Sequence, residues 1–195
     1  MSKIRKSERT RAEILDAAWA LIAERGASVS LGEVAAAAGI TRQSVYVHFG
    51  TRGGLLLALV RRADERADIW KKFDAAFATP NPRERFRACL AVWFDFVPHI
   101  YPVASDLIRL RATDDEAAAA WDDRMNDLRQ AFRQLIRGLD KAGELAGQWN
   151  VTKAADFLWA GTSVENWGLL TRDCGWSASH AAKTIAAALE RALLR

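Results

Sequence analysis

Five residues in a short run, Arg42, Gln43, Tyr46, Val47 and His48, have side chains suited to reading a nucleic acid. Arg and Gln make paired hydrogen bonds to guanine and adenine edges, and Tyr and His reach phosphate oxygens. All five fall on one exposed side of a helix over 42–49 if Val45 and Phe49, four apart, take the buried side. The local signals support such a helix. Ser30 and Glu33 have the spacing of a capping box, in which each side chain satisfies a free backbone N–H of the other's turn. Val34, Ala35 and Ala38 follow as an apolar face. Gly39 stands where a helix ends in a left-handed residue, and Thr41 can cap the next helix. Helix, glycine turn and helix is the spacing of a helix-turn-helix, whose second helix enters the major groove of double-stranded DNA.

Charge is divided in the same sense. Residues 1–62 hold ten Lys/Arg and five Asp/Glu, whereas the rest holds eighteen and nineteen, so all of the net +4 sits with the helix-turn-helix. That is the distribution of a phosphate-binding head on a near-neutral body. Lys3, Arg5 and Lys6 form a basic terminus that tracks a phosphate backbone or is simply solvated.

The stretch also resembles the tetracycline-repressor (TetR) type of transcriptional regulators. The matching residues are Arg11, Ile14-Leu15, Ala17-Ala18, Leu21, Gly26, Val34-Ala35, Ala38-Gly39, Val45-Tyr46, His48-Phe49 and Leu55-Leu56. The resemblance covers about the first third of the chain, and Val-Tyr-x-His-Phe is its specific signature. It implies a DNA interface of Ser30, Thr41, Arg42, Gln43, Ser44, Tyr46, Val47, His48 and Arg52. In it Arg42 and Gln43 read bases, and Tyr46, His48 and Arg52 contact phosphates. The family usually carries Lys at position 52; Arg keeps the charge and adds a planar fork. Gly53-Gly54 departs from the family's pattern and leaves open how rigidly the next helix joins the head.

The chain is expected to be all-α, with about nine helices: a head over 1–50 and a body over 51–195. Gly26 ends a first helix over 9–25. One long helix over 51–78 connects head to body as a lever. Further helices are expected over 83–97 and, beyond a break at Pro98 and Pro102, over 103–112. A Thr113/Glu116 capping box opens the next, over 114–142. Thr152 caps one over 153–171, and Ser177 caps the last, over 178–194.

By resemblance, the body encloses a small-molecule effector. The tryptophan-rich helices suggest Trp93, Phe94, Trp121, Met125, Trp159, Ser163 and Trp167 as its lining, against the plainer reading that these rings fill the core. The last two helices imply a homodimer interface through Leu158, Thr162, Leu169, Ile185 and Leu189, since a two-fold dimer suits a palindromic operator. The expectation is a cytoplasmic, ligand-released repressor. Two rivals are an all-α adaptor that has lost DNA binding and a small-molecule enzyme on a helical scaffold. No catalytic residues, metal site or cofactor are expected: His48, His99 and His180 are scattered without a nucleophile or metal motif, and two cysteines make no disulfide framework. No apolar run approaches a membrane span.

Overall fold

The computed structural model describes residues 3–25 and 29–195. Among the described residues the fold is all-α, with no strand beyond one isolated antiparallel bridge, Leu145–Leu194. The expected end of the first helix, Gly26, and the side chains of Lys3, Arg5 and Glu116 lie outside what is described.

Chain contacts divide the molecule into two compact units, residues 1–63 with 102–122, and 64–101 with 123–195. This packing division differs from the expected boundary at 50/51, because distant segments of chain join each unit.

The first unit is built on α1 (Lys3–Arg25), α2 (Leu31–Ala37), α3 (Arg42–Phe49) and the first part of α4 (Arg52–Arg66). Helix α1 begins at Lys3, six residues before the expected start. Its stripe of Ile14, Leu15, Ala18 and Ile22 is buried, as are Val34, Val45, Leu55, Leu56 and Leu59 from the other three helices. Spacing of three and four on each helix places these side chains on one face, and burying each contributes about 1.5–3 kcal/mol.

The expected helix over 51–78 is two helices. Between α4 and α5 (Ile69–Phe77), Asp68 sits in the left-handed region at φ 48, ψ 38. Asp tolerates that conformation better than most residues, so the helix stops and restarts there. Residues 51–78 therefore do not form a single helix.

The reverse correction holds at the prolines. Residues 82–110 form one helix, α6 (Pro82–Leu110), with Pro98 and Pro102 inside it. Each proline removes a helical N–H and costs about 3 kcal/mol. Burial of Val97, Ile100, Val103 and Leu107 around them offsets this at about 1.5–3 kcal/mol each. Tertiary packing overrides the local break signal.

Helix α7 (Asp115–Lys141) follows. The Thr113 hydroxyl donates to the Leu110 carbonyl at 3.5 Å, so Thr113 belongs to the turn that closes α6. Helix α8 (Val151–Gly161) is capped by Asn150 rather than Thr152, with the Asn150 side chain accepting from the Lys153 amide at 2.9 Å.

Helix α8 also ends earlier than expected. The buried Thr162 hydroxyl donates to the Leu158 and Trp159 carbonyls at 2.9 and 3.1 Å. Ser163 then caps α9 (Val164–Gly168), which runs into a π-helical turn, Leu169–Asp173. Asn166 donates to the Gly161 carbonyl at 2.8 Å, satisfying an acceptor the break leaves over. Helix α10 (Ala178–Leu193) begins at the expected Ser177 cap. No helix of the described residues is long and apolar enough to cross a membrane.

Candidate nucleic-acid interface

The two helices over 31–37 and 42–49 are held by the caps their sequences encode. Ser30 Oγ accepts from the Glu33 amide at 3.2 Å, and Glu33 Oε2 accepts from the Ser30 amide at 2.9 Å. Those Ser30 hydrogen bonds, with Arg25 alongside, hold the Glu33 carboxyl below the usual carboxylate range. Gly39 takes φ 66 in the turn, and the Ile40 amide closes on the Ala35 carbonyl at 3.0 Å. Thr41 Oγ1 accepts from the Ser44 amide at 3.2 Å and lies 3.0 Å from the Ser44 hydroxyl.

Helix α3 turns Val45 and Phe49 inward, 0% and 9% exposed. The Arg11 guanidinium lies 5.0 Å over the Phe49 ring, tying α1 to the end of α3. Arg42 and Gln43 point into solvent. Tyr46 and Val47 are 56% and 73% exposed, on the outward side of the helix. His48 is half-buried, its ring 6.1 Å from Phe49. Ser30, Thr41 and Ser44 have their side chains engaged in caps.

Arg52 departs from the expected phosphate contact. Its Nε donates to the Val29 carbonyl at 2.9 Å, and its guanidinium is ion-paired to Asp106 on α6. Asp106, buried at 3% exposure, also pairs with Arg109. Burial lowers the Arg52 pKa, the Arg109 charge adds to this, and Asp114 opposes it. The fork thus clamps the chain before α2 to α6, within one unit.

Gly54 gains a reason. A Cβ there would overlap the Phe49 carbonyl oxygen, so the glycine permits α4 to start against the end of α3. The Gly54 amide donates to Thr51 Oγ1 at 3.0 Å, which caps that start. Close approach, not looseness, accounts for glycine at this position.

The residues expected to line an effector site also make contacts within the chain. Trp121 is buried in the first unit, while the other six lie in the second. Trp93 donates to the Thr162 carbonyl at 2.8 Å, and Phe94 stacks on Trp167 with ring centroids 6.0 Å apart. Trp159 lies under the Arg129 guanidinium at 4.6 Å, Ser163 caps α9, and Met125 is half-buried. An open groove between α5 and α7 takes none of them.

Of the expected dimer residues, Leu158, Thr162, Ile185 and Leu189 are buried within the chain itself. Leu189 packs against Gly161, where a Cβ would crowd it. Only Leu169, 55% exposed, is free to meet another molecule. The outward apolar groups on these elements are instead Leu169 and Phe157, the latter stacked on Trp149 at 5.0 Å. The inward positions carry the helical period, so sequence alone did not separate them from an interface.

Comparison with known proteins agrees with this geometry. Residues 14–59 match the family model of bacterial regulatory proteins of the tetR family. The chain is 29% identical over 158 residues to the HTH-type transcriptional repressor BepR of Brucella suis, covering 77% of this chain and 76% of that one. Over 68 residues it is 44% identical to the HTH-type transcriptional repressor LfrR of Mycolicibacterium smegmatis, covering 31% of this chain and 35% of that one. Its fold is similar to that of a transcriptional regulator from Saccharomonospora viridis solved with choline. That match has a TM-score of 0.75 and 20% identity, over 96% of this chain and 99% of that one. The matched segment is the one whose caps, glycine turn and exposed α3 face are described above, and over residues 14–59 the chain resembles the tetR family of bacterial regulatory proteins.

Proposed function

We propose that the chain is a one-component repressor acting in the cytoplasm. Two copies bind a palindromic operator, and a small-molecule effector releases them. The observation that carries this reading is the outward face of α3, with Arg42, Gln43, Tyr46 and Val47 exposed on a helix anchored by Val45 and Phe49. Arg42 and Gln43 read base edges, Tyr46 and His48 contact phosphates, and Val47 meets an apolar base group such as the thymine methyl. Thr41, Ser44 and Ser30 shape the caps that hold this face in position.

A homodimer places the two α3 helices about 34 Å apart, one turn of DNA. Its interface uses outward groups of the last helices, among them Phe157 and Leu169. An effector that prefers a different spacing shifts the population away from DNA. The relatives named as repressors support the direction of control, and the similar regulator solved with choline supports a small-molecule ligand.

The test is binding of the chain to DNA from just upstream of its own coding sequence, against random duplex, at two salt concentrations. Specific retention at moderate salt, with Arg42→Ala or Gln43→Ala costing about 1–3 kcal/mol and relaxing base preference, supports the reading. Equal binding of all duplexes that disappears with added salt leaves only the phosphate term and overturns the operator assignment.

A further inference from the structure

Helices α5 and α7 enclose an open groove of about 550 Å³, within the range of small-molecule sites. One wall is a row of rings on α5. Trp70 and Phe73 have centroids 6.1 Å apart, and Phe73 and Phe77 6.4 Å. Their spacing of three and four puts all three on one helix face. Trp70 is held in place at one end of the row. The Arg124 guanidinium lies 5.4 Å over Trp70, and Arg124 is itself ion-paired to the buried Asp64. Yet Trp70 remains 39% exposed, an aromatic surface fixed in place and left open to solvent.

The opposite wall is polar. Arg133 and Arg137, one helical turn apart on α7, both line the groove and are exposed. Among the described residues neither has a hydrogen-bond or ion-pair partner. Gln130 and Gln134 add amide donors on the same face. The single acidic group in the lining, Asp74, comes from the aromatic side and leaves the groove one positive charge in excess.

We infer that this groove binds a small aromatic carboxylate, its ring laid along Trp70, Phe73 and Phe77 and its carboxylate held by Arg133 and Arg137. An aromatic wall alone would take any apolar molecule. Two exposed guanidinium groups lining the same groove as such a wall select an anion, because arginine matches a carboxylate with paired, charge-assisted hydrogen bonds. A cation is disfavoured by the same excess charge, since Asp74 alone opposes two arginines. The inference names the chemical class of the effector in the regulator reading and rests on that reading only for the consequence on DNA. Binding itself is measured without DNA, so the two fail separately.

The experiment is calorimetric titration of the full chain with naphthoate, its neutral amide and naphthylmethylamine. Naphthoate is expected to bind, with the amide about tenfold or more weaker and the amine weaker still. Arg133→Gln and Arg137→Gln are each expected to weaken naphthoate about tenfold with unchanged melting temperature, as both side chains are exposed. Asp74→Asn is expected to tighten it, and Trp70→Ala to weaken all three probes. Equal affinity for the acid and the amide overturns the assignment. So does unchanged affinity in both arginine variants, or no naphthoate binding at millimolar concentration.

Discussion

Replacing Arg52 by Gln separates two roles that one guanidinium can have beside a DNA-binding helix. A phosphate ligand contributes to the salt dependence of binding, and losing one lowers the slope of log K against log[salt] by about 0.9. An internal clamp contributes to stability. Here the Arg52 side chain is 25% exposed and Asp106 only 4%, and the fork also donates to the Val29 carbonyl at 2.9 Å. Removing one partner of a buried ion pair costs about 3–5 kcal/mol. Arg109 stays beside Asp106 and, at 68% exposed, supplies part of the lost neutralisation from the solvent side. Loss of the Val29 hydrogen bond adds about 0.5–1.5 kcal/mol. Together these give about 2–4 kcal/mol, which for a chain of this size lowers Tm by about 5–15 °C. Thermal unfolding by circular dichroism measures the first effect, and DNA titration at several salt concentrations well below Tm measures the second. Arg52→Gln is expected to lose stability and keep its salt slope. Asp106→Asn is expected to do the same, and the double variant to lose about 1–3 kcal/mol less than the sum of the two. A slope reduced by about one with Tm unchanged, or additive single variants, would refute the clamp.

Gly54→Ala puts a Cβ against the Phe49 carbonyl oxygen. Helix propensity alone favours Ala by about 1 kcal/mol, but the backbone overlap is expected to reverse the sign and cost about 1–3 kcal/mol. Gly147→Ala, with open space at its Cβ, is the matched control and should unfold like the parent; a stabilised Gly54→Ala would mean the close approach is absent. Burial pushes the Cys89 thiol up to about 12, whereas Cys174 is exposed. An aromatic disulfide reagent at pH 8 should therefore titrate one thiol in the native chain and two in denaturant. Because the folded Glu33 pKa is depressed, its capping contribution is present above the ordinary carboxylate range and is lost as pH falls through the lower folded value. The Tm gap between parent and Glu33→Gln should narrow on acidification from neutral pH, and a constant gap would show the carboxylate is not the cap.

The stretch from Ser30 to Phe49 was legible in the sequence because its determinants are local. Capping residues act within one turn, Gly39 tolerates the left-handed turn by lacking a Cβ, and the alternation of Val45 and Phe49 with polar neighbours follows from 3.6 residues per turn. The same locality misled elsewhere. Pro98 and Pro102 carry a break signal that only burial on both sides of them overrides, and Asp68 interrupts an apolar stripe whose period continues past it. The fate of side chains far apart in the chain was decided by tertiary structure alone. Arg52 has the type and position of a phosphate ligand, and it is the proximity of Asp106 on α6 that turns it inward. Leu158, Ile185 and Leu189 repeat like an interface and are spent on the chain's own core. Trp70 and Arg133 carry no joint signal in sequence; packing of α5 against α7 brings them to one groove. Helix starts and faces are properties of neighbours in sequence, whereas which face is covered, and by what charge, is a property of neighbours in space.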